Sequence, residues 1–315
     1  MSVNTTKRGF KNGVQTYVCK ECDNRFSSKR RTKIAFIKQL WCDYVFHKQT
    51  VRELAKHYKK DRRTIKALLE TYTPRTKQHR PRSVYLVVDA TYFGERVEHK
   101  SWCVVVARDA HTKENLWWTY TNNETTAVYR KMREELEALG YTIKSVTGDG
   151  FGGIRAGFVG IPYQMCHVHM ERVVIKGTTR NPQLEAGQVL LALVKTLPDT
   201  DCVTFRKRLH RYIEHYRDFL NEKTYNPFTG TYCWTHEPLR RALHSLMTFE
   251  LFLFTFEQDR SIPKTTNSLE GHFRHINEVT AIHCGLSRAH KEKVLHSLLL
   301  AGTIAPNKKK LDEIL

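Results

Sequence analysis

Two spacings of apolar residues alternate along this chain. Between residues 33 and 72 the spacing is helical, with Ile34, Ile37, Leu40, Trp41 and Tyr44 on one side of a first helix. Thr50 is placed to cap a second helix over Val51–Tyr58, with Glu53 at the capping-box position. Asp61 is placed to cap a third, Arg62 to Leu69. From residue 83 the pattern changes. The run Ser83-Val-Tyr-Leu-Val-Val-Asp89 is apolar without alternation, which predicts a buried strand. Further strands are predicted at 101–108, 114–121, 142–148 and near 161–166. Helices are predicted at about 124–139, with Ala127, Met132, Leu136 and Leu139 on one side, and at about 153–159. Residues 183–258 return to helical spacing in three stretches: Leu184 to Leu197, Phe205 to Leu220, and Leu239 to Phe256, interrupted at Asn226-Pro-Phe-Thr-Gly230.

Strand-strand-strand-helix-strand-helix-strand is the element order of an RNase H-like α/β core, in which the third strand pairs with the second and parallel strands are reached through helical crossovers. The expected organisation is a small N-terminal segment at 1–32, a helical domain at 33–72 and a basic, proline-marked linker at 73–82. The core would then run over 83–182, an α-helical insertion over 183–258, and the rest of the core with its C-terminal helices and tail over 259–315. In this reading Asp89 ends the first strand and Asp149 the fourth, and the two strands are neighbours.

Charge adds a partner class. The 315 residues hold 52 Lys+Arg against 32 Asp+Glu, a formal net charge of +20, which points to a polyanion, nucleic acid by default. No apolar run spans a bilayer, since Leu243 to Phe256 is short and carries Glu250, and no signal-peptide pattern accompanies Lys7, Arg8 and Lys11. The eight cysteines are scattered, with no disulfide framework, which fits a reducing cytosol. Only Cys19 and Cys22 form a close pair, followed by Phe26, like one knuckle of a zinc ribbon. A ribbon needs four ligands, so zinc binding and a metal-free knuckle both stay open.

The two short helices at 51–69 read as a helix-turn-helix whose second helix opens with Arg62, Arg63, Thr64 and Lys66, the end that would meet the DNA major groove. A helical hairpin with a solvated basic face is the alternative. Three acids stand out in so basic a chain: Asp89, Asp149 between Gly148 and Gly150, and Glu270 in Thr265-Thr-Asn-Ser-Leu-Glu270-Gly. Metal-assisted phosphoryl transfer needs carboxylates converging on hard cations about 4 Å apart. Singly, each acid also fits a turn or, for Glu270, a capping box begun by Asn267. Together, in this element order, they point to a shared site. His272, Arg274 and His275 follow Glu270 and are candidates for phosphate contact or for an exposed helix face.

Asp89, Gly148-Asp149-Gly150, Cys166-His-Val-His169 and Thr265-Thr-Asn-Ser-Leu-Glu270-Gly resemble the motifs of DDE transposases of bacterial insertion sequences in the Mutator-like superfamily. Arg180-Asn-Pro-Gln-Leu-Glu-Ala-Gly187 and Ile262-Pro-Lys-Thr-Thr-Asn267 are also similar to its members, and the resemblance runs from about residue 15 to 302. Relatives with a full zinc ribbon carry an upstream Cys pair that this sequence lacks. The resemblance implies that Asp89, Asp149 and Glu270 hold two Mg²⁺ (or Mn²⁺) ions, with Cys166, His169 and Asn267 supporting the site. It implies cleavage and strand transfer at the terminal inverted repeats of the element, double-stranded DNA at both element ends and target, a homodimer or larger assembly on DNA, and a bacterial cytoplasmic, nucleoid-associated setting. Another RNase H-like nuclease or resolvase, and a non-catalytic DNA-binding regulator derived from a transposase, are the alternatives.

Overall fold

The computed structural model describes residues 4–11, 14–27, 29–94 and 101–315, with the backbone alone for 29–33. The chain divides into two compact units. One is Met1–Lys77 with His275–Leu315; the other is Gln78–Arg274.

The first unit opens with three antiparallel strands in the order β1-β2-β3: β1 (Thr5–Lys11), β2 (Val14–Cys19) and β3 (Arg25–Ser27). The turn from β2 to β3 is closed by Cys19 N–H donating to Asn24 O and Asp23 N–H to Cys19 O, with Asp23 in the left-handed region that Asp tolerates. Helix α1 (Lys29–Val45) begins a few residues before the expected boundary at 32. Then come α2 (Val51–His57) and α3 (Arg62–Glu70). Thr50 caps α2 in a complete capping box with Glu53, and Asp61 caps α3. Leu40, Trp41, Tyr44, Leu54, Ile65 and Leu69 are buried, whereas Ile34, expected on the same side of α1, is exposed and Ile37 is half-buried.

The second unit is built on one mixed sheet. Its strands are β4 (Ser83–Phe93), β5 (Trp102–Asp109), β6 (Asn115–Thr121), then β7 (Thr142–Gly148) after helix α4 (Thr126–Ala138), and β8 (Tyr163–Met165) after α5 (Gly152–Gly157). The spatial order is β6-β5-β4-β7-β8. β5 and β6 pair antiparallel through short connections, whereas β7 and β8 join β4 in parallel, which requires the α4 and α5 crossovers. One expectation is corrected. Asp89 does not end its strand: β4 continues through Ala-Thr-Tyr-Phe93, and its pairing with β5 persists to Phe93↔Trp102. What ends near Asp89 is the parallel partner, β7.

Helix α6 (His167–Thr178) follows β8 directly, and α7 (Glu185–Lys195), α8 (Cys202–His215) and α9 (Arg217–Leu220) begin the expected helical region. The break at 226–230 is not a simple interruption. It is the turn of a hairpin, β9 (Lys223–Asn226) with β10 (Thr231–Trp234). Thr224, Tyr225, Thr231, Tyr232 and Trp234 favour strand, and the hairpin is too short for a periodic signal. Helix α10 (Glu237–Leu253) and α11 (Asn267–Ile282) follow. One continuous apolar cluster joins sheet and helices, from Leu86, Val88 and Val105 through Met132 and Leu136 to Leu190, Phe205, Leu246 and Phe254.

The last helices, α12 (Arg288–Ala301) and α13 (Lys308–Ile314), belong to the first unit, whereas the sequence reading grouped 259–315 with the core as its C-terminal helices and tail. The indole of buried Trp41 donates to Ser297 Oγ at 3.0 Å, His283 stacks on Tyr44 and donates to its carbonyl, and Lys293 donates to the carbonyls of Glu70 and Tyr72. Val294, Leu295, Leu298 and Leu299 are fully or almost fully buried. All eight cysteines are free thiols, and among the described residues no helix is long and apolar enough to cross a membrane.

Candidate active site

The register of β4 and β7 sets up the site. Val87 lies opposite Thr147, so two residues further on Asp89 and Asp149 come side by side at the point where β7 stops. Adjacent strands run about 4.8 Å apart, and residues two apart share a face, so the two carboxylates are neighbours. Asp149 Oδ1 accepts from Phe151 N–H at 3.0 Å, which orients it at the turn. The flanking glycines leave room. A Cβ at Gly148 would meet Ile154 Cδ1 at 2.7 Å, and Gly150 combines a φ of +98° with contacts to Met165 and Phe249.

Glu270 arrives from far along the chain, and a set of hydrogen bonds fixes the segment that delivers it. Thr147 Oγ1 donates to Pro263 O, and His167 N–H donates to Lys264 O. Gln164 Nε2 and His167 Nε2 both reach Leu253 O, and Phe256 N–H donates to Gln164 Oε1. These bonds hold the ends of β7 and β8 against the end of α10 and the irregular segment before α11. Thr266, fully buried, accepts the N–H of Glu270 on its carbonyl. Thr266 is therefore the capping residue, and Asn267 is the first helical residue, exposed. The expected cap at Asn267 moves one residue back.

Thr266 is also the polar hub. Its N–H donates to Cys166 Sγ at 3.3 Å, its Oγ1 is 3.3 Å from His169 Nδ1, and Oγ1 donates to Glu270 Oε1 at 3.2 Å. The hydroxyl has one proton, which Glu270 Oε1 and Cys166 Sγ, the latter 3.4 Å away, both stand to accept. Cys166 lies just before α6, and His169 on its first turn, which is what the Cys-x-x-His spacing provides. Burial opposes ionisation of the Cys166 thiol, but hydrogen bonds from His169 and Thr266 pull its pKa below the ordinary value. Burial likewise opposes a charged His169, yet Cys166, Asp89 and Glu270 raise its pKa.

Arg172, one turn beyond His169 on α6, was not anticipated. It grips Glu270 in a two-pronged pair, Nη1 to Oε1 at 3.0 Å and Nη2 to Oε2 at 2.6 Å. Burial would raise the Glu270 pKa, but Arg172, His169 and Thr266 hold it below the usual range. Asp89 behaves in the opposite way. Burial, opposed by the Ala90 N–H and His169 and reinforced by Asp149 and Glu270, pushes its pKa up to about 7. A fourth carboxylate, Glu124, also lies within the field of Asp149. Its pKa is raised by burial, and Tyr129 donates to it. The i, i+3, i+6 spacing of Cys166, His169 and Arg172 was a readable signal once 167–178 is helical. Glu124, in a polar loop, gave none.

Among the described residues, no three His, Cys, Asp or Glu side chains form a group that could hold a metal ion as they stand. At the carboxylates, both Glu270 oxygens are engaged by Arg172. At Cys19 and Cys22 the donor set is short. Cys19 is buried, Cys22 is exposed, and the described residues offer no complete tetrahedral site with them. No family model matches the chain, and no curated protein matches it.

The remaining candidates lie in the first unit or away from the carboxylates. Arg62, Arg63 and Lys66 are exposed along α3, while the Thr64 hydroxyl and N–H are spent on Asp61 in the cap. His272 and His275 are buried, so neither forms an exposed phosphate-facing edge; Asn115 Nδ2 lies 3.1 Å from His272 Nε2. Arg274 is exposed.

Proposed function

We propose that this protein is a DNA transposase of the DDE type, with an RNase H-like core, acting on the terminal inverted repeats of a bacterial insertion sequence. One observation carries the reading. Asp89, Asp149 and Glu270, far apart in sequence, come close enough that the other two carboxylates help to raise the pKa of Asp89. Arg172 pairs with Glu270, and a cation bound among the three carboxylates would relieve the crowding that remains at Asp89. Hard carboxylate oxygens are the donor set that Mg²⁺ or Mn²⁺ prefers. The mixed sheet order with the acids on adjacent parallel strands supports the fold name.

Bound there, a pair of such ions would supply Lewis-acid activation of an attacking hydroxyl and stabilisation of a leaving oxygen. The chain's own part is positional. Asp89 would present its carboxylate from β4, Asp149 from the turn that follows β7, and Glu270 from a helix fixed by Thr266. Cys166, Asp89 and Glu270 raise the pKa of His169, which favours positive charge beside the carboxylates. Arg62, Arg63 and Lys66 on α3 would hold element DNA, in keeping with the net charge of +20. The working form would be a dimer or larger on DNA, in the bacterial cytoplasm at the nucleoid. The donor set at Cys19 and Cys22 does not fit a closed zinc site, and no step is assigned to it.

The test is strand cleavage of DNA carrying the sequences that flank the gene, with Mg²⁺ supplied and Asp149→Ala run beside the wild type. Cleavage at defined ends, reduced at least a hundredfold in the variant, is expected for a group acting directly on the reaction. Tight binding without cleavage would favour a DNA-binding regulator, and cleavage retained by Asp149→Ala would remove the assignment.

A further inference from the structure

We propose that Arg172 is an exchange residue: it occupies Glu270 until a divalent cation and a DNA phosphate arrive together, and so couples the binding of the two. The inference rests on the metal-dependent reading above and adds a device to it. Both oxygens of Glu270 are taken by the guanidinium, at 3.0 and 2.6 Å. A cation and Arg172 would compete for Glu270, because two positive centres drawing on one carboxylate at contact distance repel each other and each is held more weakly. The two sides of the pair differ in freedom. The Glu270 side chain is 23% exposed and the Arg172 side chain 50% exposed. Glu270 is tied to Thr266, whereas Arg172 can swing outward on its long stem.

A guanidinium displaced from a carboxylate fits one other common partner equally well in shape and charge, a phosphate oxygen pair. Arg172 projects from α6 beside Asp89 and Glu270, which places it at the site where a scissile phosphate would sit in the proposed reaction. Released from Glu270, it gains a phosphate; bound to a phosphate, it frees Glu270 for the cation. Each ligand then raises the affinity of the other, as linkage requires. In the absence of DNA the pair keeps Glu270 ionised but closed, and the three-carboxylate set incomplete.

The experiment measures Mn²⁺ binding by calorimetry to the full-length chain, with and without a short DNA duplex of mixed sequence. Wild type, Arg172→Ala, Arg172→Lys and Glu270→Gln are compared. Without DNA, Arg172→Ala is expected to bind Mn²⁺ about tenfold more tightly than wild type, within the usual range of coupling between sites. Wild type is expected to gain a similar factor when duplex is added, and Arg172→Ala little. Arg172→Lys, which keeps the charge but not the fork, should fall between, and the tightening should vanish when Arg172→Ala is combined with Glu270→Gln. A structural role alone would weaken Mn²⁺ binding or leave it unchanged. Equal or weaker binding by Arg172→Ala would overturn the exchange while leaving the metal site intact. No Mn²⁺ binding by either protein, with or without duplex, would overturn the metal-dependent reading and the exchange with it.

Discussion

Asp89 shows how strongly its surroundings can act on a single side chain. Its carboxyl pKa is pushed up to about 7, first by burial, with Asp149 and Glu270 adding to it. An acid whose folded pKa lies above its unfolded value of about 4 prefers its protonated form in the native state. It therefore lowers stability as pH rises from about 4 to about 7, and the full penalty stands above 7. Asp89→Asn removes that penalty. In chelator, the variant is expected to be more stable than wild type at pH 8, by on the order of 2–4 kcal/mol, and the difference should shrink towards pH 4. Thermal melts at both ends of this range would check it, and a pH-independent difference would mean that the carboxylate is not under strain. The same substitution should abolish strand cleavage.

At the scale of elements, caps and spacing decide most of what was readable. Thr50 with Glu53 and Asp61 with Thr64 start α2 and α3 where the sequence places them, because a cap is local chemistry between residues three apart. Their exposed first-turn basic residues are available to a polyanion. Arg62→Ala with Arg63→Ala is expected to weaken binding to element-end DNA and to lower the slope of log affinity against log salt by about 2. Fluorescence anisotropy over a salt series would measure it, and an unchanged slope would return α2 and α3 to a purely structural role. By contrast, the Asn267 cap was misplaced by one residue. Thr266 and Asn267 are both good caps in sequence, and only the buried contacts of Thr266 with Cys166 and His169 separate them.

At the scale of the whole molecule, the C-terminal helices are the main correction. Leu298, 1% exposed, packs in a unit that also holds α1 to α3. Leu298→Ala should cost about 2–5 kcal/mol, as buried leucines do, and the loss should be local to that unit. Hydrogen exchange is expected to rise in α1 to α3 and α12 before it rises in β4 and β5. Earlier exchange in the sheet would contradict the two-unit division.

The sequence alone determined the five strands of the mixed sheet, most helices, and the caps of α2 and α3, because each rests on neighbours a few residues apart: apolar period and capping pairs. Tertiary structure decided what depends on distant partners. The continuation of β4 past Asp89 rests on pairing with β5, and the placement of α12 rests on Trp41 and Tyr44. The grip of Arg172 on Glu270 joins side chains nearly a hundred residues apart (|i−j| = 98), and the field of Glu124 near Asp149 comes from a loop without a pattern. A periodic signal reports which face of an element is buried, but not what lies against it, and it is the facing residues that set charge, ionisation and access at this site.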